Sequence, residues 1–290
     1  MGYESLTDVK GGFMAILKKK ISKIIFYIVI VVMAFVFLFP LLVMITTSFK
    51  TYKEAFDVKV GILPHALYLG NYIDVFKTIP FLRYFGNTMW ITGMNVLGTV
   101  IVTPMIAYSL SKVRWAGRNI IFTMITATMM IPYTAIMIPL YRMWVKFGLV
   151  GSFWPLIIPS FFGYPLYIII LRQFMLGIPD ELLESAKIDG CNAWQRFFLI
   201  ALPLAKPGIA TITIFSFMYT FSDFLGPLLY ANKSELYTLS LGLYSFMNEH
   251  SINWTSLMAA ATMFMLPILI IFLIGQKHFV EGISTSGLKG

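Results

Sequence analysis

Bond-making chemistry needs clustered reactive side chains, and this 290-residue sequence scatters them. No paired carboxylates, histidine cluster or nucleophile–base set falls in one stretch, which argues against an enzyme. His65, His250 and His278 are far apart and are expected at the surface. Cys191 is the only cysteine, so neither an intrachain disulfide nor a cysteine metal site is available. There is no G-x-x-x-x-G-K-[S/T] loop and no Gly-Lys dipeptide, so no nucleotide site is expected. The residues with informative spacing are instead suited to contact. From Ile178 to Pro207 the sequence reads IPDELLESAKIDGCNAWQRFFLIALPLAKP. Ser185, Ala186 and Gly190 carry little side-chain volume, so another backbone could approach closely. Glu184 offers a carboxylate to a cation on a partner. Asp189 falls where a helix dipole disfavours negative charge, so it needs a cationic partner or caps the next turn. Without further context, Glu184 and Asp189 would read as solvated helix charges.

Two short helices must position these groups. Pro179 suits a first helical position, and Asp180 and Glu181 follow in the first turn, where carboxylates complement the dipole. Gly190 is placed to end that helix in a left-handed cap. Asn192 opens a second helix, with Gln195 completing a capping box. This helix is expected to stop near Leu202, ahead of Pro203.

The surrounding composition places the pair at a membrane. Hydrophobic residues make up 58% of the chain and charged residues 12%, about half the charge of a soluble domain, and the mean hydropathy is +0.80. The net charge of +9 does not point to nucleic acid, because the basic residues lie between apolar runs and form no stripe. Six apolar segments are long enough to span: about 24–45, 87–109, 119–140, 153–175, 204–229 and 257–275. The first is too long for a cleaved signal peptide and lacks a small-x-small site. The third is interrupted by Pro132 and closes near Pro139, and the fourth is expected to kink at Pro155, Pro159 and Pro165. The expected architecture is an all-α polytopic membrane protein with an N-terminal segment (1–23), a six-helix domain (24–275) and a tail (276–290). The helix–turn–helix element, 179–203, lies between the fourth and fifth spans.

Orientation follows from the basic residues. Placing the N-terminus inside puts 14 of the 22 Lys and Arg residues inside, densest at Lys18, Lys19, Lys20 and Lys23 beside the first span. Both termini and the 179–207 stretch are then cytoplasmic. Asp223 is the only acidic residue within the spans, and such a group normally faces a polar cavity or a partner. Tyr219, one turn away, could stack on the apolar face of a sugar. Asp223 and Tyr219 are therefore candidate pathway residues, although Asp223 is also close enough to the span end to be wetted. Asn87 and Asn95 are expected to bond neighbouring helices.

The pattern Glu184-Ser185-Ala186, Asp189-Gly190, Phe197, Ile200, Leu202-Pro203 and Pro207 closely resembles the EAA signature of binding-protein-dependent ABC importer permeases. Ser185 and Cys191 replace the usual alanines, both with small residues. Leu63-Pro64 with Asn71-Tyr72, Gly117-Arg118-Asn119, Arg172-Gln173-Phe174, Leu257-Met258-Ala259-Ala260 and the closing Lys289-Gly290 resemble the carbohydrate-importing, MalG-type branch. The resemblance implies a heterodimer with a second permease, two ATPase subunits and an extracytoplasmic solute-binding protein, in a bacterial or archaeal cytoplasmic membrane. It implies no cofactor on this chain, with ATP and magnesium held by the ATPase. Glu184, Ser185, Ala186, Asp189, Gly190 and Pro203 would form the ATPase-coupling element. The tail from Gly282 to Gly290 would reach between the ATPase subunits. Two Asn-x-Ser/Thr triplets, at Asn232 and Asn253, are then chance occurrences. The expected cargo is a sugar or oligosaccharide, with glycerol-3-phosphate or another polyol compound as the alternative. An ion-coupled secondary transporter is disfavoured by the lack of a chain of intramembrane ionisable groups.

Overall fold

A computed structural model describes residues 4–248 and 251–287. His250 and the Lys289-Gly290 end of the tail lie outside the described residues. The chain runs as α1 (Glu4–Ser48), α2 (Tyr52–Ala55), α3 (Gly70–Thr78), α4 (Phe81–Ser111), α5 (Arg118–Thr128) and α6 (Tyr133–Lys146). It continues through α7 (Trp154–Ile157), a 3-10 turn (Ile158–Phe162), α8 (Pro165–Leu176), α9 (Asp180–Ile188) and α10 (Ala193–Arg196). A π-turn (Phe197–Ala201) leads to α11 (Leu202–Leu204), α12 (Lys206–Phe221) and α13 (Leu225–Tyr230). A 3-10 turn (Ser234–Leu236), α14 (Leu239–Tyr244), a hairpin of two-residue strands (Met247–Asn248 with Ser251–Ile252) and α15 (Trp254–Gly287) complete it. Among the described residues the fold is all-α apart from that hairpin.

Among the described residues, four helical stretches are long and apolar enough to cross a membrane: Lys19–Ser48, Phe81–Ser111, Trp154–Leu176 and Trp254–Gln276. The number rises to six if two bent pairs each count as one span. These are Arg118–Thr128 with Tyr133–Lys146, bent by 99°, and Ala193–Leu204 with Lys206–Phe221, bent by 74°. Pro132 does break the third segment, but α6 then runs through Pro139 to Lys146 and does not close there. An interior proline removes one backbone bond, a loss that membrane helices tolerate where neighbours cover the freed carbonyl. The fourth segment is divided into three helical pieces at its prolines. Pro155, Pro159 and Pro165 each lie in the first turn of a new helical piece, where a missing N–H costs little.

The chain divides into two units. The first comprises Met1–Ile73 and Asn253–Thr262. Its loop after α1 is pinned by polar bonds: Asn71 Nδ2 donates to the carbonyls of Ser48 (2.8 Å) and Lys50 (2.7 Å), and Lys50 Nζ donates to Gly61 O at 2.7 Å. Glu54 accepts from the His65 N–H at 2.6 Å and forms a capping box with Thr51.

The second unit comprises Asp74–Ile252 and Met263–Gly290. Its central helix is α4, which packs against α8 and α12. The buried face of α4 carries Thr88, Thr92, Asn95, Gly98, Thr99, Thr103 and Ser111, small or polar residues of the kind that hold helices together in lipid. As the sequence suggests, Asn95 bonds a neighbouring helix, its Nδ2 donating to the Leu156 carbonyl at 3.0 Å, whereas Asn87 Nδ2 donates to Glu235 and Tyr237 carbonyls, at 2.8 and 2.9 Å, in and just after a 3-10 turn. Thr99 and Ser216 hydroxyls meet at 3.2 Å between α4 and α12. Gly98 lets Ser160 come so close that an added Cβ would lie 2.5 Å from its Oγ.

Candidate functional site: the α9–α10 helix pair

The pair forms for local reasons that the residues state clearly. α9 ends in a Schellman motif, with the Cys191 N–H donating to Ala186 O (2.9 Å) and the Gly190 N–H to Lys187 O (3.2 Å). Gly190 takes φ +86°, the left-handed geometry its position requires, and a Cβ there would meet nothing within 4 Å. At the next residue but one the chain restarts. Asn192 Oδ1 accepts from the Gln195 N–H at 2.9 Å, and Gln195 Oε1 accepts from the Asn192 N–H at 2.8 Å. Pro179 is the N-cap and not the first helical residue, so α9 begins at Asp180.

The second helix does not stop at Leu202. Its path goes from α10 through the π-turn and across Pro203 to Leu204, and the bend falls at Ala205. The Leu202 N–H reaches back to Phe197 O, one residue beyond the α-helical partner. That wider turn accommodates a ring that would clash with the carbonyl four residues earlier in an α-helix.

One face of the pair is built into the protein. Leu183 joins Ala107, Tyr108, Tyr167, Leu171, Met175, Ile178 and Phe197 in a single buried cluster, with Tyr108 and Phe197 rings 5.2 Å apart. Burying Leu183 alone contributes about 1.5–3 kcal/mol. Ala186, one turn on, is only 8% exposed and lies on this inner face. The surface of small residues expected from the sequence is therefore reduced to Ser185 and Gly190.

The other face is open. Glu184, Ser185 and Asp189 are exposed, and among the described residues Glu184 and Asp189 have no ion-pair partner. Ile188 is 86% exposed, and in α10 and the π-turn Trp194, Phe198 and Leu199 are exposed too, with the Trp194 and Phe198 rings stacked at 6.0 Å. The sequence did carry a signal for Ile188. It is an apolar residue off the inner stripe set by Leu183 and Ala186, on a short helix outside any span.

Lys112 fastens the pair to the end of α4, and two arginines bond that same helix end. Lys112 Nζ donates to Ile178 O at 2.5 Å and to Asp180 Oδ1 at 2.6 Å. This hydrogen bond and the charge of Lys112 hold the Asp180 carboxyl below the ordinary 3.8. Arg172 Nε donates to Leu110 O (3.1 Å), its guanidinium lying 4.0 Å from the Phe122 ring centroid, and Arg118 donates to Ser111 O (3.2 Å). The orphan carbonyls at the α4 C-terminus thus receive cationic donors, as its dipole favours. The Lys112–Asp180 pair was not legible in the sequence, because 68 residues separate the two.

The other candidate residues are elsewhere in the second unit. Asp223 lies in the break between α12 and α13, its Oδ1 accepting from the Gly226 N–H at 3.1 Å and its carbonyl from Ser240 Oγ at 2.5 Å. Tyr219 is 57% exposed, its ring edge-on to Tyr164 at 5.8 Å. Among the described residues no group of three or more His, Cys, Asp and Glu side chains is placed to hold a metal.

Residues 100–285 match the family described as binding-protein-dependent transport system inner membrane component. The arabinooligosaccharides transport system permease protein AraQ of Halalkalibacterium halodurans is 31% identical over 94% of this chain and 100% of its own. The inner membrane ABC transporter permease protein YcjP of Escherichia coli is 30% identical over 96% and 100%. Among solved structures, a chain of a bacterial ABC transporter involved in alginate import shares the fold, with a TM-score of 0.80 at 24% identity over 90% of this chain and 98% of that one. Family membership replaces the secondary-transporter and enzyme readings: the chain belongs to the binding-protein-dependent inner membrane component family, as a multi-pass permease subunit of the carbohydrate branch of ABC importers.

Proposed function

We propose that this subunit moves a sugar or oligosaccharide across a bacterial or archaeal cytoplasmic membrane by alternating access, driven through α9 by separate ATPase subunits. One observation carries the proposal. A short helix pair, anchored along one face, presents Glu184, Ser185, Ile188, Asp189 and the left-handed Gly190 outward, exposed among the described residues. Exposed apolar side chains beside unpaired carboxylates suit docking of a protein that brings its own cations. Pro203 acts from behind this surface, in the helix that leads from α10 to α12.

The lysines in the N-terminal half of α1, ahead of its apolar stretch, support a cytoplasmic N-terminus, with the helix pair and the C-terminus on the same side. The partners are a second permease, two ATPases that hold ATP and magnesium, and an extracytoplasmic solute-binding protein. This chain needs no cofactor of its own. The arabinooligosaccharide name of one relative, and the melibiose, raffinose and stachyose of another, favour glycosides as cargo. Tyr219 and Asp223 are the pathway candidates. Tyr219 and Tyr164 offer aromatic faces to a sugar, while one Asp223 oxygen already accepts from the Gly226 N–H in the first turn of α13.

The test uses the complete importer in liposomes, with the cognate binding protein first screened against sugars, polyols and glycerol-3-phosphate. Glu184→Lys and Gly190→Pro should abolish uptake coupled to ATP hydrolysis while the protein still reaches the membrane. Normal coupled uptake in either variant refutes the role of α9, and a binding protein selective for glycerol-3-phosphate replaces the sugar.

A further inference from the structure

We propose that Lys112 is a positioning residue, clasping the N-terminal end of α9 to the end of α4 so that force on the helix pair moves α4 with it. The inference rests on the reading of α9 as the ATPase-coupling element. Lys112 is the first residue past α4, its own N–H donating to Tyr108 O at 2.8 Å. Its side chain is only 5% exposed, while the Asp180 side chain that it meets is 62% exposed. Two of its three ammonium donors are used at the α9 N-terminus, on the Ile178 carbonyl and the Asp180 carboxylate. Arg114 adds positive charge near the same carboxylate. At the opposite end of α9, Gly190 has open space around it. The helix is thus held at its N-terminal end and along its inner face, its C-terminal end continues through the Gly190 turn into α10, and its outer face is open.

A buried lysine is a poor way to gain stability. The cost of dehydrating an ammonium largely cancels its attraction to a carboxylate, and an apolar side chain of similar volume often serves as well or better. What the pair supplies here is a directional link between two helix ends. A purely structural role and a positioning role therefore predict different results for Lys112→Met. The first predicts little change in transport at normal stability, and the second a specific loss of coupling.

The experiment reads sugar taken up per ATP hydrolysed by the complete importer in liposomes, together with its melting temperature. Lys112→Met should lower uptake per ATP roughly fivefold or more, the lower end of typical coupling between sites, with the melting temperature maintained. Lys112→Arg, which keeps donors for both the Ile178 carbonyl and the Asp180 carboxylate, should retain coupling. If Lys112→Met prevents assembly, Asp180→Asn carries the test from the exposed side of the pair, with the same expected loss. Unchanged uptake per ATP in Lys112→Met, or in Asp180→Asn if that variant is needed, overturns the clasp when Glu184→Lys has lost coupling. If Glu184→Lys is also unaffected, the coupling role of α9 fails instead.

Discussion

Replacing Ile188 with alanine removes three carbon atoms from the most exposed apolar side chain on the outer face of α9. Nothing inside the protein relies on them, since the residue is 86% exposed. If an ATPase subunit covers Ile188, those carbons leave water only in the complex. At about 0.8 kcal/mol for each methylene-sized group, scaled by the exposed fraction, the loss is about 2 kcal/mol, or about 30-fold in Kd. The measurement is equilibrium binding of the purified ATPase to the permease pair in nanodiscs, alongside thermal unfolding of the permeases alone. Binding should weaken by about that factor with the melting temperature unchanged. A Kd that stays within about twofold of wild type would show that Ile188 is not covered, and the docking face would have to be sought elsewhere.

Three further outcomes follow from the packing and the charges. Gly208→Ala puts a Cβ 2.6 Å from Phe174 Cγ and 2.9 Å from Leu171 Cδ1, so it should destabilise the α8–α12 contact by about 1–3 kcal/mol, read as a lower melting temperature in detergent. Asn95→Ala loses the bond to the Leu156 carbonyl, and denaturant unfolding in micelles should show a cost of about 0.6–1.7 kcal/mol. The Asp180 carboxyl is held below 3.8, so its contribution is complete at neutral pH and disappears only as pH falls through that lowered value. The melting-temperature difference between wild type and Asp180→Asn should therefore be flat from about pH 8 to about pH 5 and shrink only in stronger acid.

What could be read from the sequence was local. Gly190, Asn192 and Gln195 specify a turn within six residues, and their backbone bonds are those the residue types demand. Pro132 and the prolines of the fourth segment likewise act on their immediate neighbours. Pro139 and Pro203 misled because the cost of an interior proline depends on what surrounds it: α6 runs straight through the first, and a π-turn absorbs the second. Ala186 misled for another reason. A small residue suits close approach by a partner or by the protein's own core, and only the position of Leu183 on the same face decides between them. The Lys112–Asp180 clasp depends on α4 and α8 ending side by side, which no local pattern encodes.

The Schellman joint leaves Cys191 half-exposed at the elbow between α9 and α10, and it is the chain's only thiol. The subunit therefore carries a native attachment point for a maleimide dye or nitroxide, with no cysteine to remove first. A probe there sits one residue from Gly190, where the two short helices meet. Paired with a label on an ATPase subunit, it would give distance distributions through the nucleotide cycle without engineering this chain.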